Sequence, residues 1–381
     1  MEMFSAAERE RRFNAASRAM NDAGIRAICL TGNSTVGPHT LGNYRYFTDR
    51  RVIFFLANVV MFNDSEPTAV TSSHLSRLGL INKSFIRDVI FDTDQLGGII
   101  NLLKTRGIDS GRVGVLTEIL PASWMKRLRE ELPNVTFVDV SDLLYSIRTV
   151  KSAEEIESQR MCAKIADAGF KAACNAAGPG VYENEIVAEM DRAMQRLGAE
   201  ESFALIASGK FSIENDGFPL LHNYAASNRK IEHGDVVALE ITPRYMGYWT
   251  QLVRTICVGG HNADAERLRR VVVGAINEIK PVLRAKTPVC EVARKMREYT
   301  EAAGYRFANP CGHIAAVDLN EERLSESNKR LLEPGMLIIV HPAVFAGDTR
   351  TSLYWGESYL ITDDGFETLM ESDCELYVTS N

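Results

Sequence analysis

Two ionisable residues directly follow strongly apolar runs, where a charge needs a partner. Glu240 follows the run VVAL, and His341 follows the run LIIV. Both runs are typical of buried strands, and a buried charge without a partner is costly. We therefore expect Glu240 and His341 to face polar partners or a ligand, as residues of a functional site do.

Other short motifs carry weaker signals. The segment CGH at 311–313 places a thiol two residues from His313, and strand residues at this spacing share a face without necessarily meeting, so a Cys–His nucleophile pair is the less favoured interpretation. The turns GPGV at 178–181 and GGH at 259–261 lack the spacing of a phosphate-binding loop. The seven cysteines include no CxxC pair, which argues against a disulfide framework and a zinc knuckle.

Composition and charge exclude several classes of protein. The 381 residues are 45% hydrophobic and 24% charged, as in ordinary globular proteins. The net charge is −7 and no dense basic stripe could follow a phosphate backbone, so we expect no nucleic-acid partner. The apolar run at 52–62 is shorter than the ~20 residues of a spanning helix, and the charged start does not read as a signal peptide. We expect no membrane partner and, with reduced thiols, a cytoplasmic location.

The pattern of predicted elements changes near the middle of the chain. Short β-rich runs alternate with helical stretches from residue 8 to about 144, which predicts an N-terminal α/β domain at 1–147. Ser152 followed by Glu155 is a capping box that opens a long helix. Beyond it, strands interleave with paired helices without strict alternation, which indicates an antiparallel sheet covered by helices in a second domain at 148–381.

Five segments of the second half, in order, resemble the motif series of the pita-bread superfamily, which includes aminopeptidase P, proline dipeptidase, methionine aminopeptidase and creatinase. The segments are RTVKSAEEIESQR, the stretch from PLLHNY to RTICVGG, NPCGHIAAVDLNE, LIIVHPAVF and GESYLITDDGFETL. The match covers about 148–370, and the first 145 residues resemble the N-terminal domain of the creatinase and proline-peptidase branch. The resemblance implies an α/β (α+β) fold with a small N-terminal α/β domain followed by a pita-bread catalytic domain.

In the metallopeptidases of this superfamily, two aspartates, a histidine and two glutamates hold two metal ions. By resemblance, these positions fall on Glu240, Gln251, His313, His341 and Glu357. Three of the five residue types are changed, and Gln251 offers one neutral carbonyl oxygen where an aspartate would bridge both ions. A further family histidine falls on Asn320. The resemblance therefore implies a degenerate metal site, and we expect no metal cofactor.

Creatinase is the member of the superfamily in which a histidine with carboxylates does the chemistry. The resemblance to it implies a hydrolase of a non-peptide C–N bond in a small polar nitrogenous metabolite. His222 takes the place of a histidine general acid and base, while His313 and His341 would polarise the scissile group. Glu240 and Glu357 would repel each other unless one of them were protonated or a cationic group lay between them, which favours a cationic or amidine-like substrate. The predicted catalytic residues are thus His222, Glu240, His313, His341 and Glu357, with Arg254 as a structural ion-pair partner of a site carboxylate.

Enzymes of this branch pair as homodimers, and the N-terminal domain of one subunit covers the site of the other. By that resemblance, the segment NYRYFTDRR at 43–51 reaches the neighbouring site, where Arg50 or Arg51 would hold a substrate carboxylate. We expect Gln251 and Tyr248 to complete the set of substrate-binding residues.

Two alternatives stay open at this stage. His313, His341 and Glu357, with Gln251 or Glu240 as an extra ligand, could hold a single iron or zinc ion and run a hydrolytic or lyase reaction. The chain could also be a non-catalytic binding protein, as in the histone chaperones that carry an inactive peptidase domain. The retained polar cluster makes this last interpretation the least favoured.

Overall fold

The computed structural model describes residues 4–33, 42–52, 56–210, 225–346 and 352–379. The chain divides into two compact units, Met1–Glu154 and Glu155–Asn381. The predicted domain limits, 1–147 and 148–381, stay predictions. Within these described ranges, no helix is long and apolar enough to cross a membrane.

The first unit is built on a mixed six-stranded sheet with strand order β4-β3-β2-β1-β5-β6. The strands are β1 (Ile25–Asn33), β2 (Leu56–Phe62), β3 (Thr68–Thr71), β4 (Asp88–Phe91), β5 (Ser110–Val115) and β6 (Asn134–Asp139). The helices are α1 (Ala6–Asp22), α2 (Gly42–Thr48), α3 (His74–Lys83), α4 (Gln95–Thr105), α5 (Ala122–Glu131) and α6 (Ser141–Thr149). The central strand β1 contains the apolar run AICL at 27–30 because it is buried along almost all of its length.

The second unit carries four helices and three sheets among its described residues. The helices are α7 (Ala153–Ala176), α8 (Glu183–Arg196), α9 (Ala263–Ile279) and α10 (Val289–Ala302), and a short 3₁₀ turn at Lys280–Val282 follows α9. The first sheet has the order β19-β10-β8-β7, with β9 beside β8; its strands are β7 (Glu201–Lys210), β8 (Asp235–Tyr245), β9 (Tyr248–Trp249), β10 (Leu252–Cys257) and β19 (Tyr377–Val378). The long helix that the sequence predicts after Ser152 is α7.

The other two sheets of this unit hold the later segments. One has the order β13-β12-β14-β17-β18, with strands β12 (Gly312–Ala315), β13 (Glu322–Arg323), β14 (Leu337–Val340), β17 (Glu357–Ile361) and β18 (Phe366–Thr368). The other has the order β11-β15-β16, with strands β11 (Arg306–Phe307), β15 (Ala343–Phe345) and β16 (Ser352–Tyr354). All pairs in these two sheets are antiparallel.

Alternation along β8 separates a core face from a polar face. Val237, Leu239 and Ile241 belong to the main core of the unit, together with side chains of α7 and α8. Because successive strand side chains point to opposite faces, Ala238 and Glu240 face away from that core. Ala238 instead packs with Ala207 and Val253 in a separate small cluster. The sheet is thus covered by helices on one face and free to carry a site on the other.

An isolated β-bridge joins this sheet to the β14–β17 sheet, next to side-chain hydrogen bonds of Ser358 with Thr250 and Gln251. The Val253 amide donates to the Gly356 carbonyl at 3.4 Å, and the Gly356 amide donates to the Val253 carbonyl at 3.2 Å. A Cβ on residue 356 would lie 2.6 Å from Val253 Cγ2, so the close approach requires glycine. Since Val253 pairs with Glu240 in β8, the bridge brings the polar face of β8 next to the ends of β14 and β17.

Candidate active site

Four of the predicted site residues come together on the polar face. Glu240 lies within β8, Gln251 directly precedes β10, His313 lies in β12, and His341 directly follows β14. Glu240, Gln251 and His313 are 6%, 2% and 5% exposed, and His341 is partly buried. Four elements from two sheets therefore place one carboxyl, one amide and two imidazoles in a common buried region.

These four side chains form a row in which each contacts the next, from Glu240 through Gln251 and His313 to His341. The Oε1 atom of Gln251 lies 3.3 Å from His313 Nε2, and its Nε2 atom donates to Thr242 Oγ1 at 3.3 Å. Gln251 also hydrogen-bonds to Glu240. The rings of His313 and His341 lie with their centroids 5.0 Å apart. The amide thus links the carboxyl on one side of the site to the imidazoles on the other.

Tyr354 at the end of β16 is a site residue that the sequence analysis missed. Its hydroxyl donates to Glu240 Oε2 at 2.9 Å. Its ring meets His341 edge-on, with centroids 5.3 Å apart and an interplanar angle of 68°. No motif indicates Tyr354, because it reaches Glu240 from another sheet and from 114 positions further along the chain.

Burial changes the protonation of the site. Burial raises the pKa of Glu240 to about 7, although the hydrogen bonds from Tyr354 and Gln251 lower it in part. Burial also lowers the pKa of His341 to about 4, so its imidazole is neutral at neutral pH. The pKa of Tyr354 is raised well above its usual value by burial and by the neighbouring Glu240. Glu240 is therefore a group that can take up or release a proton near neutral pH.

Glu357 was expected to face Glu240, and the structure contradicts this. In the register of the β14–β17 sheet, His313, Ile339 and Ser358 share one face, so the preceding residue Glu357 points to the opposite face. There its Oε1 atom accepts from Arg254 Nη2 at 2.5 Å and lies 3.3 Å from the Cys374 thiol. Arg254 thus forms the predicted structural ion pair, but its partner Glu357 is not a carboxylate of the site.

The position of Glu357 has a consequence for the substrate. Its charge is compensated inside the protein by Arg254, which is itself fully buried. Glu240 and Glu357 therefore do not form the repelling carboxylate pair that would need a cation between them. The argument for a cationic or amidine-like substrate loses its basis.

Three other predicted site residues lie elsewhere among the described residues. The Tyr248 hydroxyl donates to Glu155 of α7, so it is engaged towards the helices and away from Glu240. Arg50 and Arg51 belong to the first unit, where they line a cavity together with Asn58 and Thr71. His222, the predicted general base, lies outside the described residues.

The donor set does not fit a dinuclear metal centre. In the part of the chain that the structure describes, no three histidine, cysteine, aspartate or glutamate side chains form a group that could hold a metal ion. The four residues that meet supply one carboxyl group, one neutral amide and two imidazoles, whereas two divalent ions need several charged oxygen ligands. The ion pair of Glu357 with Arg254 also removes a ligand from the predicted single-metal set.

Two family models match the chain. The model of metallopeptidase family M24 matches residues 157–363, and the model of the creatinase/prolidase N-terminal domain matches residues 12–150. A creatinase from Bacillus sp. (strain B-0618) is 27% identical over 367 residues, which cover 90% of this chain and 84% of the relative. A Xaa-Pro dipeptidase from Pyrococcus furiosus is 28% identical over 295 residues, which cover 74% and 78%.

Solved structures agree with these matches in fold. The X-Pro aminopeptidase from Thermotoga maritima superposes with a TM-score of 0.84 at 18% identity, covering 96% of this chain and 98% of that one. The prolidase from Pyrococcus horikoshii superposes with a TM-score of 0.82 at 22% identity, covering 96% and 99%. The predicted fold, a small N-terminal α/β domain followed by a pita-bread domain, is confirmed.

The same comparisons correct the expectation about cofactors. The prediction that no cofactor is needed is wrong for a chain of this kind, because the family model that spans the site is that of a metallopeptidase family. Metal ions are the cofactor that this match indicates. The poor fit of the donor set is then a property of this chain's own residues, above all of Gln251 and His341.

Proposed function

We propose that this chain, which belongs to metallopeptidase family M24 and is a hydrolase of that family, cleaves a non-peptide C–N bond in a small polar nitrogenous metabolite. The observation that carries the proposal is the environment of Glu240. In the part of the chain that the structure describes, the hydrogen-bond partners of this buried carboxyl group are the uncharged Tyr354 and Gln251, and the nearby His341 is neutral at neutral pH. Such a group serves proton transfer to nitrogen better than it serves a cage for two divalent ions.

The proposed reaction balances with one water molecule. Water adds to the carbon of the scissile bond and releases a proton to a general base. The C–N bond then breaks, and its electron pair leaves with the nitrogen, which takes a proton from the Glu240 carboxyl group. His222 stays the predicted base for the water. His313 and the neutral His341 would donate to the oxygen or nitrogen on which charge develops.

The comparison with creatinase supports this class of bond. Its match covers 90% of the chain, whereas the Xaa-Pro dipeptidase from Pyrococcus furiosus covers 74%, at nearly equal identity. Cleavage of a Xaa-Pro dipeptide is the competing function, and the names of several relatives favour it. With Glu357 compensated by Arg254, we infer a substrate that donates an N–H to Glu240 and needs no positive charge.

We also propose that the protein acts as a homodimer in which Arg50 or Arg51 of one subunit binds a substrate carboxylate at the other subunit's site. The match of residues 12–150 to the creatinase/prolidase N-terminal domain supports this arrangement. A guanidinium can bind a carboxylate through two parallel hydrogen bonds.

The test is a comparison of two classes of probe on one preparation. The metal content of the purified protein is measured first, and proton NMR then follows creatine, small ureido and N-acyl compounds, and the dipeptide Ala-Pro, each with and without added Mn²⁺. We expect turnover of at least one non-peptide probe to exceed turnover of Ala-Pro. Faster cleavage of Ala-Pro, with or without Mn²⁺, would overturn the proposal.

A further inference from the structure

Tyr354 and Gln251 both hydrogen-bond to the Glu240 carboxyl group. The Tyr354 hydroxyl donates to Oε2 at 2.9 Å, and Gln251 supplies a second hydrogen bond to the same carboxyl group. A carboxyl group with two fixed partners keeps one orientation, which a proton-transferring group requires. The edge of the Tyr354 ring also meets His341, so one side chain contacts both the acid and an imidazole of the site.

The packing of the Tyr354 ring explains why the hydroxyl stays in place. The ring packs against the small cluster formed by Ala207 of β7, Ala238 of β8 and Val253 of β10. These short side chains leave room for a phenol ring to lie on the polar face of the sheet. Contacts with three adjacent strands restrict the rotamers of Tyr354, so its hydroxyl is preorganised.

We propose that Tyr354 is a positioning residue: its hydroxyl holds the Glu240 carboxyl group in the orientation from which a proton passes to the leaving nitrogen, and its ring holds His341 beside it. The identity of the leaving group rests on the proposed function. The contacts of Tyr354 with Glu240 and His341 are independent of the proposed function, and they would serve any substrate that this site turns over.

The second unit contains a matched pair that serves as the control. Tyr248 donates to Glu155, and both residues are almost fully buried, at 1% and 0% exposure. This pair joins β9 to α7 and has no contact with Glu240 or His341 among the bonds described above. Replacing either tyrosine by phenylalanine removes one hydroxyl from a buried Tyr–Glu hydrogen bond, so a purely structural role predicts similar effects for both.

The first experiment compares Tyr354→Phe with Tyr248→Phe on whichever probe the protein turns over, non-peptide or Ala-Pro. We expect Tyr354→Phe to lower kcat by roughly 10–100-fold while KM stays within about threefold, because ground-state binding is kept. Tyr248→Phe should lower kcat clearly less than Tyr354→Phe does, because the Tyr248 hydroxyl donates to Glu155 and the Tyr354 hydroxyl donates to Glu240. Equal losses of kcat in the two variants, or full activity of Tyr354→Phe, would overturn the proposal.

The second experiment does not depend on the reaction. Urea unfolding is measured for Tyr354→Phe, Glu240→Gln and the double variant. Because the two side chains are hydrogen-bonded, their effects on the unfolding constant should be non-additive by about fivefold or more. Additive effects would overturn the proposal whatever the activity. If only Ala-Pro is cleaved, the proposed function fails. The positioning role of Tyr354 is still tested by the comparison of kcat values and by the unfolding of the single and double variants.

Discussion

Glu240 makes stability depend on pH in a direction opposite to that of an ordinary paired carboxylate. Its pKa is about 7 in the folded protein against an ordinary value of 4.5, so the folded state binds the proton more tightly than the unfolded chain. The stabilising contribution of Glu240 to the free energy of unfolding is therefore fully present below pH 4.5, and it is lost as the pH rises from 4.5 through 7. The size follows from 1.36 kcal/mol per pKa unit and is on the order of 3 kcal/mol.

Glu240→Gln should therefore stabilise the protein at pH 8 relative to the parent, by up to about 3 kcal/mol, and do much less at pH 4.5. The amide keeps the shape and cannot ionise. Urea unfolding of both proteins across pH 4.5–8 checks this. His341, with its lowered pKa, contributes an opposite slope between about 4 and 6.5, but this slope is common to both proteins and cancels in the difference. A difference that is constant with pH would contradict the assigned environment of Glu240.

His222 carries the prediction about the base that activates water. His222→Ala should lower kcat by roughly 10²–10⁴-fold and leave KM within a few-fold, because general base catalysis acts in the transition state. Steady-state kinetics on the probe that is turned over measures both constants. The exposed His261→Ala is the control for loss of an imidazole without loss of the site. Near-full turnover by His222→Ala would remove His222 from the mechanism.

The sequence could predict Glu240, Gln251, His313 and His341 because each is a polar residue at a recognisable place in a motif. It misplaced Glu357 because the closing segment offers two adjacent positions, 356 and 357, and only the strand register tells which of them faces the site. A shift of one residue moves a strand side chain to the opposite face. Tyr354 could not be predicted, since its contact with Glu240 depends on how separate sheets pack.

At the scale of elements, the bridge between Val253 and Gly356 sets the distance between the two sheets that form the site. The apolar runs VVAL and LIIV predict β8 and β14 well, because continuous burial makes such runs apolar on both faces. In the sequence, the only sign of the bridge is the glycine at position 356. Its requirement becomes visible in the 2.6 Å approach that a Cβ on residue 356 would make to Val253.

Gly356→Ala should consequently push the sheets apart. We expect a loss of about 1–3 kcal/mol in the free energy of unfolding, as for other overpacked positions, together with a fall in kcat as Glu240 moves relative to His341. Thermal unfolding and kinetics check the two effects. Gly365→Ala is the control, because a Cβ there meets nothing within 4 Å in the turn after the neighbouring strand. Equal stability of the two variants would show that the bridge tolerates a side chain.

At the scale of the whole molecule, the proposed homodimer places Arg50 and Arg51 of one subunit at the site of the other. This arrangement predicts complementation between two inactive proteins. The double variant Arg50→Ala/Arg51→Ala lacks the arginines, and Glu240→Gln lacks the proton-transferring carboxyl group. In a mixed dimer, one site receives both defects and the other receives none. Random exchange of equal amounts should therefore restore roughly a quarter of the parental activity, since half of the dimers are mixed and each has one intact site.

Sedimentation of the parent at micromolar concentration measures the association directly, and the activity of the mixture is followed during subunit exchange. A monomer in sedimentation, or mixed dimers without a gain in activity, would contradict an arrangement in which each N-terminal unit serves its partner.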